Sequence, residues 1–466
     1  MTRMNWTELL SAKRMRKLLG GADSAKSAKE MRTEYERDYG RTIYSAPFRR
    51  LKQKAQVFPL EPGDYVRTRL THSQEVSSVA EDIASQLTRT IQDLKKLKPE
   101  FRDAVPLVAA TCGLIHDLGN PPFGHAGELA ISTWFEEKMK SDQCFLHELS
   151  EQQRQDFLKF EGNAHTLRII SNLCLLTDDY GLNYTCGTFS AARKYLPPSN
   201  GLGSGHLMSK PGYFWSERDI VKIAATKTGT HDRRHPLAFL VEAADDIVYS
   251  VVDLEDGIKH KVLDWHDLKR GLEKECSGNS LLKGALRQVD KAMSKTGLAG
   301  AAEAETASQL FRISVISEFA IAAKEVFQKR YESIMEGGYD GELLLDDKCR
   351  AQPLVRACKS YARKHLYASP NILKLEIRGR RVIHELMDLL WEAVEDLTPA
   401  KLPPKTNRYP GKIYHLISDN YRRVFEKRLR AEKEHPKYCK LQLVADYVAG
   451  MTDTFACQLH RDLTNE

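Results

Sequence analysis

Apolar positions along this chain recur mainly at helical steps. From His72 onward, Val76, Val79, Ile83, Leu87 and Ile91 follow one another at three- and four-residue intervals, which predicts an amphipathic helix. The next segment, DAVPLVAATCGLIHDLG, is apolar almost all round, as a buried helix is. Gly119, Pro121 and Pro122 then force an irregular turn. EGNAHTLRIISNLCLL reads as a further helix, and residues 185–215, which contain LPPSNGLGSGHLMSKPG, as a long functional loop. The most regular pattern is HPLAFLVEAADDIVYSVVDLEDG. Helical spacing returns at 304–335, 380–397 and 439–462, while Pro403-Pro404 and the YPG at 409–411 mark a linker-like interruption. Few segments alternate as strands, and no internal repeat stands out. The expected fold is mostly α, with room for a small hairpin among the loops.

Composition narrows the class without naming a function. The chain has 466 residues, 42% hydrophobic and 29% charged, with no apolar run long enough to predict a membrane span. Its start, MTRMNWTELLSAKRMRK, has no apolar stretch of the secretory kind. Nine cysteines lie scattered with no CxxC pair, which points to reduced thiols and a cytoplasmic protein rather than a disulfide framework or a thiolate zinc site. The net charge of +7 suits an anionic ligand, although a solvated surface of slightly basic balance accounts for it equally well. Basic residues crowd at Arg49, Arg50, Lys52 and Lys54.

The chemistry gathers elsewhere. His72, the adjacent pair His116-Asp117, and Asp245 supply two imidazoles and two carboxylates, a set suited to a divalent cation such as Mg²⁺, Mn²⁺, Co²⁺ or Fe²⁺. On the predicted helix around Asp245, the residues Glu242, Asp245, Tyr249 and Asp253 form one polar stripe opposite an apolar face, and Asp246 lies off that stripe. His125 and Glu128 stand one helical turn apart, so the carboxylate can orient and charge the imidazole for proton transfer. Arg69 lies one turn before His72, where a guanidinium could hold phosphate oxygens. Lys194 and Lys210 flank the glycine-rich loop with further positive charge. No GK[ST] follows GLGSG, and neither a GxSxG elbow nor an HExxH helix is present. Together these residues point to metal-assisted hydrolysis of a phosphate ester.

The ordered segments RDYGRTIYSAPFRRLKQKAQVFPL, VRTRLTHSQEV, CGLIHDLGNPPFGHAGE, FEGNAHTLRII, GLNYT and HPLAFLVEAADDIVYSVVDLEDG resemble the HD-domain phosphohydrolases, and most closely the bacterial deoxyguanosinetriphosphate triphosphohydrolases. The resemblance runs from about residue 35 to 260, with KPGYFWSE and AGMTD extending it. It implies an HD-domain helical bundle core with additional C-terminal helices: a basic segment over 1–60, a catalytic core over 61–260 and a packed helical region over 261–466. It implies that a dNTP, dGTP by default, is cut between the 5′ oxygen and the α-phosphorus. By motif position, His72, His116, Asp117 and Asp245 match metal ligands, and His125 and Glu128 the catalytic pair. Arg69 and Lys210 match triphosphate contacts, Gln53, Tyr249 and Asp253 the deoxyribose site, and Asn183 a further substrate contact. The family also implies a homo-oligomer, often a hexamer, and leaves single-stranded DNA open as a regulator.

Two other readings use the same residues. An HD phosphodiesterase acting on a cyclic dinucleotide or alarmone would need further histidine ligands, for which His165 and His235 are available. A nucleic-acid-binding protein with a vestigial site would rest on the basic N-terminal segment.

Overall fold

The computed structural model describes residues 3–21, 31–58, 60, 67–175, 179–431 and 435–464. The expected boundary at residue 60 therefore abuts a stretch, 61–66, outside the described residues. Seven helices position the site: α1 (Arg69–Thr90), α2 (Pro99–Ile115), α3 (His125–Ser141), α4 (Pro236–Lys259), α5 (Ala301–Glu336), α6 (Pro370–Val394) and α7 (Pro436–Ala449). Among the described residues there is no strand, only isolated bridges such as Ala55–Thr68. The small hairpin anticipated among the loops is thus absent there.

Local chemistry sets the helix ends that matter. Thr68 caps α1 by accepting from the Thr71 amide, and the Thr71 side chain returns a bond to the Thr68 amide. Pro99 opens α2, which stops at His116. His235 caps α4, with Pro236 as its first residue. Three segments depart from their sequence pattern. The segment after Glu161 is helical only over Gly162–Arg168, then widens into a π turn at Ile169–Leu173. The expected loop over 185–215 opens with a short helix, Cys186–Ala191. The pattern at 439–462 is two helices, α7 and Asp453–Thr464, separated at Gly450.

Two apolar cores result. One joins α1, the first part of α2, α4 and α5 through residues such as Val76, Val108, Ile247 and Phe319. The other joins the end of α2, α3, α6 and α7 through Leu114, Trp134, Leu386 and Val444. Each draws on all three of the segments 1–60, 61–260 and 261–466. The His116-Asp117 pair lies where α2 passes from one core to the other, since Cys112 belongs to the first and Leu114 to the second. No helix of the described residues is long and apolar enough to cross a membrane. All nine cysteines are free thiols, and all but Cys144 are buried.

Candidate active site

The metal-type side chains meet because α1 and α2 cross closely. A Cβ on Gly113 would lie 2.6 Å from the Ser77 Cα, so only glycine permits this approach. It brings the His72 and His116 rings to a centroid separation of 5.3 Å. Asp245 arrives from α4, with Oδ1 3.0 Å from His72 Nε2 and 3.6 Å from His116 Nε2. One ligand atom from each of these three residues lies within 4.8 Å of the others.

The two nitrogens of His116 are in different situations. Nδ1 donates to the Gly113 carbonyl at 2.7 Å, while Nε2 is buried without a hydrogen-bond partner. A ring whose Nδ1–H is so committed presents a lone pair at Nε2, the tautomer in which imidazole binds metals. Against the effect of burial, the Asp117 and Asp245 carboxylates push His116 up to about 9. The buried Asp117 and the half-buried Asp245 carboxylates facing one imidazole call for a cation, and the donor set fits a divalent metal.

Asp117 stands at the edge of this trio. Its Oδ1 lies 3.5 Å from His116 Nε2 and accepts from the Asn120 side chain at 2.5 Å, and its Oδ2 accepts from Arg69 at 2.6 Å. Against burial, Arg69 and His116 hold this carboxyl well below the usual range.

These groups line a cavity of about 430 Å³. His125, at its mouth, has a side chain 84% exposed; its Nδ1 donates to Glu128 Oε2 at 2.8 Å. That bond and the Glu128 charge raise the imidazole above its usual value. Glu128 is itself fixed, because Oε1 accepts from the Gly162 amide at 2.9 Å. The cavity also contains Arg69, Lys194, Lys210, Tyr249 and Asp253. Lys194 lies 3.5 Å from Glu242, and Lys210 lies 3.2 Å from Glu161. Glu242 also accepts from His206 at 2.8 Å and Arg234 at 2.7 Å.

Along α4 the charges are therefore ordered. Cations cluster at Glu242, the metal-type set follows at Asp245, and Tyr249 and Asp253 come one and two turns later.

The chain matches the family model of the HD domain over residues 69–175 and that of the phosphohydrolase-associated domain over 348–462. A Listeria innocua protein named deoxyguanosinetriphosphate triphosphohydrolase-like is 36% identical across 99% of both chains. The deoxyguanosinetriphosphate triphosphohydrolase of Enterobacter sp. strain 638 is 31% identical over 94% of this chain and 95% of its own. That of Yersinia enterocolitica is 30% identical over 95% and 96%. This chain belongs to the deoxyguanosinetriphosphate triphosphohydrolase family.

Against that family's expected site, two residues are misplaced. Gln53 is exposed and lines a separate cavity with Arg50, Tyr421 and Phe455. The short 3₁₀ turn at Leu51–Gln53 faces it away, and Gln56 lines the main cavity instead, with its Oε1 buried and unpartnered. Asn183 serves the fold. It sits buried at φ 48°, where its Oδ1 accepts from the Arg16 amide and its carbonyl from Arg14.

Other residues of the cavity escaped the sequence reading. Tyr367 lines it and donates to Asp253 Oδ2 at 2.5 Å. Its ring stacks on that of Tyr249, with centroids 6.2 Å apart. Asp246, the weaker ligand candidate off the polar stripe, does line the cavity, but its Oδ1 pairs with Lys359 at 2.7 Å, a partner the sequence does not show. The histidines that a two-metal phosphodiesterase would need are committed elsewhere. His165 bonds the Gly119 carbonyl and approaches Asp446, and His235 caps α4.

Proposed function

We infer that this protein is a metal-dependent dNTP triphosphohydrolase, with dGTP as its preferred substrate, that releases a deoxynucleoside and inorganic triphosphate. The observation that carries the reading is the order along α4. Cations at Glu242, the His72–His116–Asp245 set, and the Tyr249–Asp253 pair suit a triphosphate tail, an α-phosphate and a deoxyribose in that sequence. The names of the Enterobacter and Yersinia relatives support dGTP as the substrate.

His72, His116 and Asp245 would hold the metal, with Asp117 as the fourth ligand. When bound, a divalent ion supplies Lewis-acid polarisation of the α-phosphate and lowers the pKa of water beside it. Mg²⁺ or Mn²⁺ is the expected ion, with Co²⁺ and Fe²⁺ compatible with the same donors. Arg69, Lys194 and Lys210 offset phosphate charge in a cavity where such contacts are stronger than in water. Water adds to the α-phosphorus as the bond to the 5′ oxygen breaks, and His125 gives its proton to that departing oxygen. Glu128 keeps His125 protonated and aimed. Asp253 accepts from the 3′-hydroxyl, while Tyr249, backed by Tyr367, fills the space a 2′-hydroxyl would need. Gln56 adds an unpartnered acceptor beside the sugar.

The same reading extends to a cytosolic enzyme that self-associates as a homohexamer, with single-stranded DNA as a regulator whose binding weakens with salt.

The deciding experiment incubates the purified protein with Mg²⁺ or Mn²⁺ and each dNTP separately, and resolves the products. Deoxynucleoside with intact triphosphate, formed fastest from dGTP, is the expected result. Monophosphate with pyrophosphate would move the cut across the phosphorus and remove His125 as the proton donor.

A further inference from the structure

Contacts from the C-terminal region converge on the turn that carries His125. The chain leaves Pro122 through Phe123 and Gly124, whose φ angles are 63° and 60°. The left-handed conformation is ready for glycine but unfavourable for phenylalanine, and it persists only where the surroundings hold it. Here they hold it from two sides. The Phe123 amide donates to Asp453 Oδ1 at 3.0 Å. Its ring lies against Gly379 of α6, where an added Cβ would come 2.6 Å from Phe123 Cγ.

The second oxygen of Asp453 accepts from the Ala55 amide at 2.8 Å. Ala55 bridges to Thr68, the cap of α1, and the Lys54 carbonyl accepts from the Arg69 amide at 2.9 Å. One buried carboxylate therefore ties the His125 turn to the start of the helix that bears Arg69 and His72. Asp453 does not line the cavity, and both of its oxygens are taken by backbone amides.

We propose that Asp453 and Gly379 are positioning residues for His125: they lock the Phe123–Gly124 turn in its positive-φ form, so that the phosphohydrolase-associated region aims the proton donor. The proposal rests on the reading of His125 as that donor. Its consequence falls first on His125, because the turn leads directly into it as the first residue of α3, whereas His72 and Asp245 lie within α1 and α4 and His116 caps the end of α2.

The test uses the full chain. Asp453→Asn keeps the side-chain shape but sets an amide N–H₂ against a backbone N–H, and Gly379→Ala pushes the Phe123 ring from the other side. Each variant is expected to lower kcat on the order of 10- to 100-fold, as misplacing a catalytic group by an ångström does. KM for dGTP and the calorimetric affinity for Mn²⁺ should stay within about twofold. In a His125→Ala background neither substitution should lower kcat further, since residues acting through one group are not additive. A loss that adds to that of His125→Ala, a parallel loss of Mn²⁺ affinity, or an unchanged kcat in both variants would overturn the proposal. Because the two substitutions act from separate elements, one remains informative if the other melts early. Full activity in His125→Ala alone would instead sink the reading of His125, which separates that failure from this one.

Discussion

Tyr367 donates its phenol proton to Asp253 Oδ2 at 2.5 Å, joining the C-terminal region to the polar stripe of α4. Burial pushes the Asp253 carboxyl up to about 7, and the Tyr367 bond works against that rise. Tyr367→Phe therefore removes the group that orients Asp253 and favours its charged form. A hydrogen bond to a charged group contributes about 1.5–3 kcal/mol, so KM for dGTP should rise roughly tenfold or more with kcat largely kept. Steady-state kinetics at pH 7.5 would check this, and an unchanged KM would show that Asp253 needs no partner.

The metal prediction follows from His116 Nε2, buried without a partner and facing Asp245. Mn²⁺ should raise the melting temperature of the wild-type protein, since a ligand that binds only the folded state stabilises it. Chelation should reverse the rise. Asp245→Asn should abolish it, because the neutral amide removes the carboxylate that faces both imidazoles, 3.0 Å from His72 Nε2 and 3.6 Å from His116 Nε2. A Mn²⁺-dependent rise of wild-type size in that variant would mean the ion binds elsewhere.

The parts of the site readable in the sequence are those that one helix displays. Glu242, Asp245, Tyr249 and Asp253 share a face because α4 is regular, and His125 and Glu128 meet because they lie one turn apart on α3. The buried character of α2 was equally plain from its unbroken apolar run. What failed lies where the backbone is irregular. Gln53 ends a 3₁₀ turn and is separated from Gln56 by a bend and the Ala55 bridge, so no period tells which one faces the cavity. Asn183 is polar because its left-handed backbone and the Arg16 amide require it, a need invisible without the fold. Tyr367 reaches the site, and Asp453 the turn beside it, from more than a hundred residues downstream through packing of the two cores; Tyr367 carries no local signature, and Asp453 shows in the sequence only as the end of AGMTD.

Lys194 gives a separate handle on the triphosphate. It lines the cavity near Glu242, whose carboxylate is also bound by Arg234 and His206. Lys194→Ala leaves Glu242 with two cationic partners, so the fold should survive, whereas Glu242→Gln would strand Arg234 and cost about 3–5 kcal/mol. In Lys194→Ala the KM for dGTP should rise on the order of tenfold, as expected when a charged contact to the tail is lost. Inhibition by deoxyguanosine, which has no phosphate, should be unaffected. Equal weakening of both ligands would place Lys194 near the nucleoside instead.

Acid stability has a specific origin in the cap of α4. His235 accepts from the Leu237 amide through Nδ1 at 3.1 Å and donates through Nε2 to the Leu9 carbonyl at 3.2 Å. This arrangement requires the neutral ring, and burial lowers His235 to about 4. An unfolded histidine titrates near 6.5, so between those values the unfolded chain binds more protons than the folded one. The stabilisation is complete above about pH 6.5 and is lost as pH falls toward 4, to a limit of about 3 kcal/mol. Glu242, a buried carboxylate held low against that burial by Arg234 and Lys194, loses its contribution only in stronger acid. His235→Asn keeps an acceptor at the cap and cannot titrate in this window. Its melting temperature should therefore fall less between pH 7 and pH 4.5 than that of the wild type, and an identical fall would assign the acid sensitivity to another group.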